Sequence, residues 1–112
     1  MSKIYEVKIT TQAREQMANI IDYIAYELCN PDAANSLLDK MEEKIIALSE
    51  FPERHPLIDE EPWGTEGVRK IVVKNFLVYY WVDVDKKKVH VTAVVYEKRN
   101  QIEQLKKMNM DN

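Results

Sequence analysis

The chain opens on an alternation, Tyr5, Val7 and Ile9 interleaved with Ile4 and Glu6, which predicts a strand over residues 3–9. The period then changes. Ala13, Met17, Ile20, Ile21, Ile24 and Leu28 recur at spacings of three and four, the mark of one apolar helical face. Thr10 or Thr11 offers an N-cap, so a first helix is expected over about 11–28. Asn30-Pro31 breaks the pattern and restarts it, since Asn caps and Pro suits the first helical turn. A second helix buries Ala34, Leu37, Leu38, Met41, Ile45 and Leu48 and ends before Phe51-Pro52. So short a link makes the two helices an antiparallel hairpin.

Residues 51–67 hold three of the four prolines, both glycines and the run Asp59-Glu60-Glu61. They form a long connection, with Phe51, Leu57, Ile58 and Trp63 expected to pack inward. Three apolar runs follow, at 68–74, 76–84 and 88–97, joined by tight turns at Lys74-Asn75 and Asp85-Lys86-Lys87. Residues 99–108 form a short helix with Ile102 and Leu105 on one face, or they fray. The order is strand, helix, helix, strand, strand, strand. That order predicts an α+β domain spanning 1–112, with a helical hairpin packed on one face of a mostly antiparallel four-stranded sheet. The second face is expected to stay partly open, with basic residues on it or at its rim.

Charge changes the picture more than composition does. Residues 1–67 carry 6 Lys/Arg against 14 Asp/Glu, a balance of −8, whereas residues 68–112 carry 10 against 5, a balance of +5. A basic half of this kind fits a polyanionic or acidic partner, or else the two halves neutralise each other across a shared surface. The N-terminus lacks the apolar run of a signal peptide, and no window approaches a membrane span. One cysteine, Cys29, cannot form an internal disulfide and reads as a buried or helix-end spacer; a cytoplasmic location fits best.

Several chemistries have no residues to run on. His55, His90 and Cys29 lack metal-ligand spacing, two glycines cannot build a phosphate cradle, and no Gly-x-Ser-x-Gly elbow exists. Glu42-Glu43 and Asp59-Glu60-Glu61 read as solvated faces. What remains is cationic and aromatic: Arg69, Lys70, Lys74, Tyr79, Tyr80, Trp81, Tyr96, Lys98 and Arg99. Cations hold phosphates while rings stack on unpaired bases, and such a set can also cleave RNA without a metal. The plainer reading makes Arg69, Lys98 and Arg99 solubilising residues or ion-pair partners of Glu66 and Glu97. Of Tyr80 and Trp81 only one can face the main core, because neighbours on a strand point opposite ways.

The sequence resembles the RelE/ParE superfamily, the toxin half of type II toxin–antitoxin modules, over nearly its whole length. The resemblance lies in Tyr5-x-Val7-x-Ile9-Thr10, Ile20-Ile21-Asp22-Tyr23-Ile24, Ala33-Ala34 and Leu48-x-x-Phe51-Pro52. It continues in Val68-Arg69-Lys70-Ile71, Asn75-Phe76-Leu77-Val78-Tyr79-Tyr80-x-Val82-Asp83 and Val94-Val95-Tyr96-Glu97-Lys98-Arg99-Asn100. It implies a growth-arresting protein of plasmid-stabilisation type, held inactive by a cognate antitoxin that wraps it in a hetero-oligomer, with a homodimer as the other assembly. It implies no cofactor and no membrane partner. RelE-like members cut mRNA on the ribosome without a metal, whereas ParE-like members poison DNA gyrase.

For RNA cleavage the resemblance implies catalytic Arg69, Tyr96, Lys98 and Arg99, with Lys70 and Lys74 binding nucleic acid. Leu77 stands where the RelE branch commonly has a second arginine, and no terminal tyrosine occurs near Gln104. The full helical hairpin looks more like the ParE branch. The preferred reading is a metal-independent, ribosome-dependent endoribonuclease, and the alternatives are a non-enzymatic gyrase inhibitor and a non-toxic homologue that only binds antitoxin.

Overall fold

In the computed structural model, which describes residues 4–110, strand β1 (Glu6–Ile9) leads directly into helix α1 (Thr11–Asp22). Thr10 is the cap, its hydroxyl accepting the Ala13 amide at 3.2 Å. The first helix does not run regularly to residue 28. It widens into a π-helical turn at Tyr23–Glu27, and Leu28 is 56% exposed rather than part of the apolar face. Cys29 follows in the left-handed region at φ 51°; it is an exposed helix-end residue, not a buried one. Asn30 then caps helix α2 (Pro31–Ile46), accepting the Ala33 amide at 3.1 Å. Short 3-10 turns at Ala47–Ser49 and Pro52–Arg54 end the hairpin.

Strands β2 (Val68–Val73), β3 (Phe76–Asp83) and β4 (Lys88–Tyr96) complete a four-stranded sheet ordered β1-β4-β3-β2. β1 lies parallel to β4, the helical hairpin and long connection carrying the chain from β1 across to the far edge strand β2, and the other pairings are antiparallel. The opening strand is shorter than its alternation: Ile4 makes only an isolated antiparallel bridge to Glu50, and residues 1–3 lie outside the described part. β4 carries a bulge, with Tyr79 opposite Ala93 but Tyr80 opposite Val91, leaving Thr92 as the extra residue.

The helices cover one face of the sheet. Met17, Leu37, Met41, Ile45 and Leu48 pack there on Ile71, Val73, Val78, Tyr80, Val89, Val91 and Val94. Full burial of each large apolar side chain contributes roughly 1.5–3 kcal/mol relative to exposure. The second face, expected to be partly open, is closed. Val68, Leu77, Tyr79, Ala93 and Val95 form a second cluster there, covered by Ile58 and Trp63 of the long connection and by Leu105 and Met108 near the C-terminus. The physical reason is in the strands, which are apolar at both parities and so need cover on both faces. Helix α3 (Gln101–Lys106) supplies part of it. Leu105 is buried there, while Ile102, placed on the same face by its spacing, is 49% exposed.

The long connection is ordered by backbone bonds as well as by packing. Ile58 donates to Val68 O at 2.9 Å, and Val68 donates to Trp63 O at 3.0 Å. Gly64 sits so close to this crossing that a Cβ would lie 2.2 Å from the Ile58 carbonyl oxygen. Phe51 and Leu57, expected inside, are 64% and 45% exposed. Among the described residues no helix is long and apolar enough to cross a membrane.

Candidate functional site

The residues singled out for nucleic-acid chemistry fall in two places. Lys74 and Asn75 make the β2–β3 turn, and the Glu97 amide donates to Asn75 O at 2.9 Å, so the end of β4 lies against that turn. Lys74, Tyr96, Lys98 and Arg99 therefore share one end of the sheet, all of them exposed. Tyr96 is braced by Phe76, the ring centroids 5.6 Å apart and tilted by 56°. Lys74 holds φ 54°, a conformation that tightens the turn at the expense of an uncommon backbone region for a side-chain-bearing residue.

Arg69 lies elsewhere. It pairs with Tyr80 whereas Tyr96 pairs with Phe76, four residues further along β3, or roughly 13 Å at strand rise. It also has the parity of Ile71 and Val73, which places it on the helix-covered face. Its guanidinium donates to the His55 and Glu53 carbonyl oxygens, the latter at 3.3 Å, and meets the Glu53 carboxylate at 3.9 Å. The ion pair is thus with Glu53 and not with Glu66. Lys70 has the opposite parity and is half-buried beside the second cluster. Tyr80 takes the main-core position, its hydroxyl donating to Pro52 O at 2.7 Å. Trp81 faces the other side, stacks on His90 at 4.5 Å and donates to Met110 O.

What the sequence did not signal is that Arg54 and His55 lie beside Arg69 in one corner. Burial, followed by the charges of Arg54, Lys44 and Arg69, holds the His55 imidazole below its ordinary pKa. Burial also pushes the Tyr80 hydroxyl up to about 12 despite Arg69 and Arg54 nearby, and burial with the Glu60 charge does the same for Tyr79. The sequence offers His55 only as a metal ligand, and without ligand spacing. The signal that could have found it is Phe51-Pro52-Glu53-Arg54-His55, a proline-turned exit that folds a basic pair back against β2.

A third feature is a cleft of about 440 Å³ between α1 and α2, floored by Ile9, Met17, Ile21, Leu38 and Ile45 and edged by Ile46. Arg14, Asp22 and Glu42 stand at its margins. Among the described residues no group of three or more His, Cys, Asp or Glu is placed to hold a metal ion.

The family model described as "ParE toxin of type II toxin-antitoxin system, parDE" matches residues 7–101, and the chain belongs to that family. The fold is similar to a chromosomal ParDE structure from P. aeruginosa, with a TM-score of 0.68 at 19% identity, over 85% of this chain and 98% of that one. It is also similar to the toxin–antitoxin complex RelBE2 of Mycobacterium tuberculosis, at 0.59 and 19% identity over 83% and 98%. A double mutant of the E. coli toxin RelE in the free state matches at 0.65 and 14% identity over 93% and 97%. No curated protein is a significant sequence match.

Proposed function

We propose that this toxin arrests growth by binding DNA gyrase, as a ParE-type inhibitor, and not by cutting RNA. One observation carries the reading: the side chains needed for RNA cleavage are dispersed. Arg69 is engaged by two carbonyls and a carboxylate roughly four strand residues away from the Tyr96, Lys98 and Arg99 end. Leu77, at the position of a second arginine in the RNA-cutting branch, is buried in the second core. General acid–base chemistry and charge stabilisation need groups within hydrogen-bond reach of one reacting centre.

The second reading, ribosome-dependent mRNA cleavage, is favoured by the sheet end, which exposed Lys74, Lys98 and Arg99 share with the Phe76–Tyr96 ring pair. There Tyr96, Lys98 and Arg99 would be catalytic, joined by Arg69 only if the corner opens, with Lys70 and Lys74 holding RNA. In either case the partner is a cognate antitoxin, and the apolar cleft between the helices suits an apolar segment of it.

Purified protein added to gyrase and relaxed plasmid should block supercoiling and accumulate gyrase-linked DNA breaks. Normal supercoiling, together with cut messages on translating ribosomes, would reverse the assignment.

A further inference from the structure

We propose that Met108 is an oxidation site that takes one oxygen from a hydroperoxide, and that its sulfoxide releases the C-terminal strap from the second face of the sheet. The site does not depend on which target the toxin has.

The strap is residues 107–110, the segment that leaves α3. Hydrogen bonds tie it to α1, β3 and β4. The Gln12 side chain clasps it from α1, its Nε2 donating to Lys107 O at 2.7 Å and its Oε1 accepting the Asn109 amide at 2.6 Å. Trp81 Nε1 on β3 donates to Met110 O at 3.0 Å. The Thr92 hydroxyl, at the β4 bulge, donates to Met108 Sδ at 3.0 Å. The bonds through Lys107, Asn109 and Met110 use backbone groups, which oxidation leaves intact. The Thr92 bond uses the sulfur itself.

Burial makes the site selective. Of the described methionines, Met41 is fully buried and Met17 nearly so, both under the helical hairpin. Met108 and Met110 are only half-buried, packed against the second cluster, so a small oxidant reaches them in the folded chain. Thr92 occupies one lone pair of the Met108 sulfur and leaves the other available. That pair attacks the terminal oxygen of the hydroperoxide. The S–O bond forms as the O–O bond breaks, and sulfur gives up the two electrons that the peroxide gains. The proton of the transferred oxygen passes to the departing one, which leaves as an alcohol, or as water from hydrogen peroxide.

Oxidation moves the hydrogen-bond acceptor from the sulfur to the new oxygen. A hydroxyl needs roughly 2.7 Å to an oxygen acceptor. The sulfur already stands 3.0 Å from Thr92, so an oxygen between them forces it back out of the cluster. An oxygen on the other side is a polar group against apolar side chains, and it turns to water by drawing the sulfur with it. The Thr92 hydroxyl is not orphaned by the change, because Tyr79 O lies 3.4 Å away. A buried donor with a second acceptor in reach lets the sulfur go at little cost, which suits a reversible contact.

Treating the full chain with graded tert-butyl hydroperoxide tests the site. Peptide mass spectrometry locates the added oxygen, and NMR follows hydrogen exchange at the Asn109 amide and the Trp81 indole N–H, two donors that the strap contacts protect. Met108 should gain oxygen while Met17 and Met41 stay reduced. Exchange at Trp81 and Asn109 should then rise severalfold to roughly tenfold, the effect of losing one hydrogen bond. The Val78 amide in the middle of β3 should not change. A methionine sulfoxide reductase should restore the slow exchange.

Met110→Leu should respond as the parent chain does, and Met108→Leu should not respond. Oxidation of Met17 or Met41 before Met108 overturns the site. Met108 sulfoxide with unchanged exchange at Trp81 and Asn109, or an equal response in Met108→Leu, overturns the release of the strap. Because the oxidation and exchange measurements use the unaltered chain, they decide the matter even where a variant folds poorly.

Discussion

Tyr80 joins the core to the α2 exit through one hydrogen bond. Its ring is fully buried against the helices, and its hydroxyl satisfies the Pro52 carbonyl. Tyr80→Phe removes the donor and leaves that carbonyl unsatisfied, so it should cost about 1–3 kcal/mol in urea unfolding. The same burial governs behaviour in alkali. Tyr79 and Tyr80 ionise at about 12 in the folded chain against 10.0 in an unfolded one, so their contribution to stability is intact below pH 10 and is lost as pH rises toward 12. The decline over that window, followed by circular dichroism, should be shallower in Tyr79→Phe than in the parent chain.

At the scale of elements, the second face is where sequence and structure part. Leu105 plugs that face from α3, and Leu105→Ala should cost about 2–5 kcal/mol by the same unfolding measurement. Element order and type were legible because period and punctuation agree: Thr10 and Asn30 sit where the caps form, and Lys74-Asn75 where the hairpin turns. The covered second face was foreseeable in principle, since Leu77, Tyr79 and Val95 are apolar at positions opposite the helix-facing set. What hid it is that its cover comes from an irregular connection and a six-residue helix, neither of which has a period. The π-helical turn at Tyr23–Glu27 was hidden for a related reason. Ile24 keeps the helical spacing and packs on the core, whereas Leu28, just past the widened turn, is exposed.

The candidate site was legible as residue types but not as an arrangement. Arg69, Lys98 and Arg99 read alike in the sequence, and only the pairing register separates them, since Arg69 lies near the start of β2, at the opposite end of the strand from the turn beside the other two.

For the whole molecule, the −8 and +5 halves make association sensitive to salt. Under the gyrase reading proposed above, binding to gyrase–DNA should slow as ionic strength rises toward physiological values, where the screening length falls to about 8 Å, while dissociation changes little. Stopped-flow mixing at several salt concentrations separates the two rates. The Thr92 bulge has a consequence at this same scale. Upstream of it the odd-numbered Val89 and Val91 meet the helices; downstream the even-numbered Val94 does, and odd-numbered Ala93 and Val95 meet the far cluster. One inserted residue thus reverses the parity of the central strand, and deleting it would exchange the two hydrophobic interiors along half of β4. A single codon, and no contact that Thr92 itself makes, keeps the two sides of this protein from trading places.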